Sequence, residues 1–192
     1  MTAERWSGSF GDSYLQRTID APMLPRRGEF WHNFFLKYPV KSVLEIGAGA
    51  GANLRWLKAN RICGVDINAN ALAVARTLPN VDVALAEATH VPYSDDSFEL
   101  VFTCGLLIHL PENKLGGALD EMYRLTLRLL LVMEYQSVTA HEIEYRGECG
   151  LLWKRPYDQI VKQRYSQLTL IDEGFLGHDD GFDDLNWSLF SK

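Results

Sequence analysis

Three glycines at alternate positions, Gly47, Gly49 and Gly51, interrupt an apolar stretch and constrain this chain more than any other feature. Val43, Leu44 and Ile46 before them read as the end of a buried strand. Leu54, Trp56, Leu57 and Ala59 after them open a helical pattern. Glycine stands where backbone must turn sharply or lie against a ligand with no Cβ in the way. A helix N-terminus at that point offers free N–H groups and a positive dipole end to an anionic group. The turn is therefore expected to hold a nucleotide-like ligand with a carboxylate or phosphate, because a plain turn needs one glycine rather than three.

Two ligand classes compete. Gly47-x-Gly49-x-x-Ala52 satisfies the dinucleotide fingerprint, and Asp66 sits near the distance expected for its ribose-binding acid. Glu45, two residues before the first glycine, tilts the choice. A carboxylate there repels a pyrophosphate and suits a ligand with an ammonium group and no phosphate, and S-adenosylmethionine (SAM) is such a ligand.

A chain of 192 residues is long enough for one domain with a good core. The net charge of −6 argues against nucleic acid as the main partner, since counterion release needs basic surface. Cys63, Cys104 and Cys149 are widely spaced; the first two lie in apolar stretches and read as buried thiols rather than a disulfide or metal set. No apolar run approaches membrane length and the N-terminus lacks a signal-peptide pattern, so a cytoplasmic location and no membrane partner are expected. The oligomeric state is left open.

Before the first strand, residues 10–17 read as a short helix capped by Asp12 or Ser13 and broken by Pro22 and Pro25. Tyr14 and Arg17 lie one turn apart on it and share a face that would cover the ligand. A second helix from Gly28 carries aromatics at helical spacing, read as packing on the sheet. Residues 62–68 form a second strand ending in Asp66, whose carboxylate is placed for the ribose hydroxyls, with Ile67 over one adenine face. Asn68 is a candidate cap for the helix that follows. After a third strand at 81–86, Glu87 could accept from an adenine amino group and the Ala88 N–H serve a ring nitrogen.

A fourth strand over 98–103 leads to His109, a candidate general base, and Pro111 starts a helix. The fifth strand, 127–134, carries a continuous apolar run, Leu129 to Met133, as suits burial on both faces, and ends at Glu134-Tyr135. Residues 136–158 form an insert dense in His141, Glu144, Tyr145, Arg146, Lys154 and Arg155, a cluster suited to an anionic substrate. Strands over 168–175 and 184–190 close the chain. The acids between them show no fixed ligand spacing, so a solvated turn is expected and no metal.

Seven strands with alternating helices and a strand pair at the end fit a doubly wound α/β sheet. Glu45-x-Gly47-x-Gly49-x-Gly51, Asp66, and Glu87 through Tyr93 followed by Ser97-Phe98-Glu99-Leu100-Val101 together resemble the class I SAM-dependent methyltransferases. The flanks narrow the resemblance. Trp6 through Tyr14 with Arg17, Glu29-Phe30-Trp31, Leu107 through Leu110, Glu134-Tyr135, Glu142 through Glu148, Lys154-Arg155 and Trp187-x-Leu189-Phe190 look like the pseudaminic acid biosynthesis-associated methylase family, which is named for gene neighbourhoods and not for a substrate.

The resemblance implies a Rossmann-like seven-stranded sheet with its last strand antiparallel, helices on both faces, a helical lid over residues 1–40, and a substrate-side insert after the fifth strand. It implies Glu45, Gly47, Gly49 and Gly51 around the methionine end of SAM, Asp66 on ribose, Ile67 and Glu87 beside adenine, and the Cys104 backbone on the methionine part. Arg17 is assigned to the methionine carboxylate and Tyr14 to the sulfonium by a cation–π contact. The activity implied is methyl transfer to a small polar or acidic acceptor: a sugar, nucleotide-sugar or small carboxylate. His141, Arg146 and Lys154 would bind that acceptor, and Tyr14, His109, Glu134 and Tyr145 would act at the reacting centre. Three alternatives stand beside it. SAM could be cyclised to a small cyclic amino acid with release of methylthioadenosine. The chain could be a nicotinamide-dependent oxidoreductase, or a silent SAM-binding partner.

Overall fold

The structure is a computed structural model that describes residues 2–19 and 26–192. Its centre is a seven-stranded sheet made of β1 (Ser42–Ile46), β2 (Arg61–Asp66), β3 (Val81–Leu85), β4 (Phe98–Cys104), β5 (Thr126–Glu134), β8 (Thr169–Leu176) and β9 (Leu185–Ser191). The strand order is β3-β2-β1-β4-β5-β9-β8. The strands β1 to β5 run parallel, and β9 is antiparallel to both β5 and β8. Continuous apolar runs such as Leu129–Met133 are buried on both faces, which is what a parallel sheet covered by helices demands. Leu44 pairs with Cys63 on one side and Val101 on the other, so β1 is the central strand at which the order reverses. Ligands of such sheets bind outside the strand C-termini at that reversal.

Helices α5 (Glu112–Leu125) and α6 (Tyr157–Arg164) bury Leu119, Met122 and Tyr157 on one face. On the other face α3 (Arg27–Lys37) buries Trp31, Phe34 and Phe35 against Val43, Phe102 and Leu131. The aromatic stripe is core packing, as its helical spacing implies. Helix α4 (Ala69–Ala75) starts where Asn68 accepts from the Ala71 N–H at 2.8 Å.

Three expectations change. First, no α-helix follows the glycine loop: a single 3-10 turn, Leu54–Trp56, stands in its place. The N–H groups of Asn60 and Arg61 both bond the Lys41 carbonyl at 3.0 Å, so the chain must return to the foot of β1 within a few residues of Gly51. Second, two helices precede the sheet in sequence before α3: α1 (Thr2–Ser7) and α2 (Ser9–Ile19). Asp12 lies inside the first turn of α2 and does not cap it; its carboxylate accepts instead from Asn68 and Asn70 at 3.1 and 3.0 Å. Pro22 and Pro25 lie outside the described residues. Third, the insert carries structure of its own. Strands β6 (His141–Glu142) and β7 (Trp153–Lys154) pair antiparallel, and a tight turn links Tyr145 to Glu148 through Arg146 and Gly147, both at positive φ.

Candidate functional site

A cavity of about 430 Å³ opens at the C-terminal ends of β1, β2 and β4, roofed by α1 and α2. That volume falls within the roughly 300–1,000 Å³ of small-molecule sites. Its floor is the glycine loop, its far wall Asp66, Ile67, Glu87 and Ala88, and its near wall Cys104 to Leu106.

The glycines divide the work of the loop. Gly49 has φ +52°, and a Cβ built on it meets nothing within 4 Å, so its missing side chain leaves open cavity. Gly51 faces away: a Cβ there would stand 2.5 Å from Leu78 Cδ1, so this position serves packing and not the ligand. The Gly49 N–H donates to Asp66 Oδ2 and the Asn68 N–H to Asp66 Oδ1, both at 2.8 Å. Burial pushes the Asp66 carboxyl up, and those backbone donors oppose the shift. Each oxygen keeps lone-pair capacity for a further donor from the cavity.

Glu45 lies behind the loop, 2% exposed. Asn53 Nδ2 donates to its Oε1 at 2.7 Å, while Oε2 is buried without a partner among the described residues. Burial pushes its pKa to about 8; the Asn53 bond and the charge of Arg27 oppose this. A buried carboxyl oxygen with no partner calls for one, and a cationic donor such as an ammonium would suit its ionised form.

The cation acting on this end is Arg27, which sequence reasoning missed; like Glu45 it stands behind the cavity lining and not in it. Its Nε donates to the Gly181 carbonyl at 2.8 Å and its Nη1 to Asn53 Oδ1 at 3.2 Å, and its guanidinium carbon lies 4.6 Å from the Phe182 ring centroid. Its charge acts on Glu45, Cys104 and Tyr14 together. The only sign of it in the sequence is its place at the head of the aromatic helix. Arg17 does not line the cavity; it is exposed, with its guanidinium carbon 5.8 Å from the Tyr14 ring centroid.

The roof is aromatic. Trp6, Tyr14 and His109 line it, with Phe10 and Tyr145 packed behind. Trp6 lies 4.3 Å from the His109 ring and presents a buried indole N–H without a partner among the described residues. Burial pushes the Tyr14 phenol to about 12 and the Cys104 thiol to about 12, so both stay protonated at neutral pH. His109 Nδ1 stands 2.7 Å from the Leu151 carbonyl, an oxygen that only accepts, so Nδ1 carries the proton and Nε2 the lone pair. Burial holds its pKa down at about 4, so the ring is neutral.

Of the remaining candidates only Glu87 is in the cavity lining. Glu134 is fully buried, and its oxygens accept the N–H groups of Leu106, Leu107 and Ile108 at 3.0–3.3 Å. It builds the near wall rather than facing a ligand. Tyr145 backs His109 with ring centroids 5.6 Å apart. His141 and Arg146 are exposed on the insert, His141 bonded to the Thr139 carbonyl and Arg146 over Tyr145. Lys154 stands 6.0 Å from the Tyr135 ring centroid. Arg155, 2% exposed, is held by Glu112, Tyr157 and the Leu107 carbonyl and belongs to the wall. Glu87 lines the cavity with Lys114 at 3.2 Å.

The strand order and the glycine-loop cavity define the Rossmann-like fold of class I methyltransferases. Residues 43–127 match the family model described as a methyltransferase domain. Methyltransferase GfsG of Streptomyces halstedii is 32% identical over 98 residues, which are 46% of this chain and 33% of that one. An uncharacterized methyltransferase of Schizosaccharomyces pombe, C25B8.09, is 28% identical over 178 residues, 88% of this chain and 65% of that one. The chain thus spans a third to about two thirds of the length of these relatives. The crystal structure of magnesium protoporphyrin IX methyltransferase (ChlM) from Synechocystis, with bound SAH, superposes with a TM-score of 0.75 at 12% identity, covering 99% of this chain and 97% of that one.

Proposed function

We propose that the protein is a SAM-dependent methyltransferase acting on a small-molecule acceptor. The observation that carries this is the buried, partnerless Glu45 Oε2 behind the glycine loop, with the Arg27 charge acting on it. Together they suit an ammonium and a carboxylate on one carbon, the methionine end of SAM. Asp66 suits the ribose hydroxyls, and Glu87 with the Ala88 N–H suits adenine. A pyrophosphate finds no helix N-terminus behind this loop, which counts against a nicotinamide cofactor.

Bound there, SAM supplies a methyl group on an already activated sulfonium. The chain's own work is alignment and exclusion of water. The Trp6 and Tyr14 rings line the cavity, and Tyr14 would meet the sulfonium by a cation–π contact. His109 Nε2 is free to take a proton from an acceptor hydroxyl or amine, with Leu151 fixing its ring. An acidic acceptor is the finer reading. Lys154 beside Tyr135 supports it, since no carboxylate is paired with Lys154 among the described residues.

A second reading keeps SAM as sole substrate, converted to a cyclic amino acid and methylthioadenosine. It is favoured by a roof of bulky rings over a small cavity and by the position of His141 and Arg146 outside it. Incubation with SAM alone, followed by mass spectrometry, separates the two. Methyl transfer predicts intact SAM until an acidic sugar or small carboxylate is added. Methylthioadenosine formed without an acceptor would replace it with the second reading.

A further inference from the structure

Asn68 is 5% exposed and uses every polar atom it has. Its N–H donates to Asp66 Oδ1 at 2.8 Å, and its Oδ1 accepts from the Ala71 N–H at 2.8 Å. Its Nδ2 donates to the Trp6 carbonyl at 3.0 Å and to Asp12 Oδ1 at 3.1 Å. The first two bonds belong to the ribose acid and to α4. The last two belong to the roof. Capping a helix needs only the side-chain oxygen, which Ser, Thr or Asp supplies as well. The amide nitrogen is what singles out Asn, and both its protons go to α1 and α2.

The surroundings are cut to this bond pair. A Cβ at buried Gly11 would overlap the Trp6 carbonyl oxygen and stand 2.7 Å from Asn68 Nδ2. At the far end of the roof, Arg5 is paired with Glu148 of the insert at 2.6 Å, but both side chains are partly exposed, which makes that tie weak. Trp6 and Tyr14, the rings that close the cavity, ride on the two helices so fastened.

We propose that Asn68 is a positioning residue that clasps the α1–α2 roof to the ribose-binding acid, so that a bound adenosyl ligand leaves only when this clasp opens. The inference rests on the SAM-binding reading for its ligand, but the clasp itself is a property of the protein alone. A ligand held by Asp66 fixes the acid that orients the Asn68 backbone, and the Asn68 side chain in turn fixes Trp6. Release of the roof admits water to the reacting end and opens the way out.

The test uses Asn68→Ser, which keeps the cap oxygen and removes both roof donors, with Asp12→Ala as an independent cut of the same clasp. Two lost hydrogen bonds predict amide hydrogen exchange over residues 2–19 about tenfold or more faster in the ligand-free variants. They predict S-adenosylhomocysteine dissociation, followed by stopped-flow fluorescence, faster by a similar factor. The main thermal transition should stay within about 4 °C of the parent. Asp12→Ala shares only the Asn68–Asp12 bond with Asn68→Ser and also loses the Asn70 bond, so the double variant should fall short of the sum of the two single effects. Parental exchange and parental dissociation in Asn68→Ser would overturn the proposal and leave Asn68 a helix cap. Should the parent not bind S-adenosylhomocysteine, the SAM reading fails, while the exchange experiment still decides the clasp.

Discussion

The Gly49 N–H donates to the Asp66 carboxylate across 2.8 Å, so the glycine loop and the acid at the end of β2 are one hydrogen-bonded unit. On the proposed reading, Asp66→Ala removes the acceptors for the ribose hydroxyls, and it also lets the loop relax. Hydrogen bonds to a charged group contribute about 1.5–3 kcal/mol each. We expect S-adenosylhomocysteine affinity, measured by isothermal titration calorimetry, to fall by about a hundredfold or more. Asp66→Asn should fall between, since it keeps one acceptor. Unchanged affinity in Asp66→Ala would remove Asp66 from the site.

Arg27 and Arg17 make a matched pair for testing the carboxylate partner. Arg27 is fixed by Gly181 and Asn53, whereas Arg17 is exposed. Arg27→Met should weaken ligand binding by about ten- to hundredfold, the scale of one charge-assisted bond. Arg17→Ala should change it less than about threefold. The reverse ranking would restore Arg17 to the role its sequence position suggested.

Glu45 and Glu134 carry folded pKa values raised to about 8 and about 7. The folded protein therefore binds protons that the unfolded chain has already lost, and stability falls as pH rises between the carboxylate range and those values. His109 acts oppositely, but only between its ordinary 6.5 and its depressed value of about 4. Above pH 6.5 the two acids decide the slope. Thermal stability of the ligand-free protein should decline from pH 6.5 to 8, at up to roughly 1.4 kcal/mol per pH unit per proton. Glu45→Gln should flatten that decline. A rising curve would contradict the burial argument.

Glu134→Ala tests structure rather than chemistry. It would orphan three buried backbone N–H groups at the turn carrying His109, for a loss of about 3 kcal/mol or more in urea unfolding. If the variant instead folds as well as its parent and loses only turnover, Glu134 is a catalytic group.

Much of this was written in the chain at short range. Apolar runs such as Leu129–Met133 marked buried strands, and Asp66 and Asn68 marked a strand end and a cap. The failures share a cause: tertiary demand. The pattern after Gly51 is helical, but the return to Lys41 leaves no length for a helix. Glu134 stands at the active edge of the sheet, yet the backbone of Leu106 to Ile108 claims it. Arg27 lies far in sequence from Asn53, Gly181 and Phe182, which hold it, so no local spacing announces it. Asp12 has the composition of a cap and spends its carboxylate on another helix.

The central claim is that this cavity holds an adenosyl amino acid. The most direct measurement is calorimetric titration of the protein with S-adenosylhomocysteine, with NAD as the rival. We expect saturable binding of S-adenosylhomocysteine at one site per chain, tightening from pH 6 to 8 as Glu45 ionises beside the ammonium, and no binding of NAD. Saturable NAD binding without S-adenosylhomocysteine binding would contradict it.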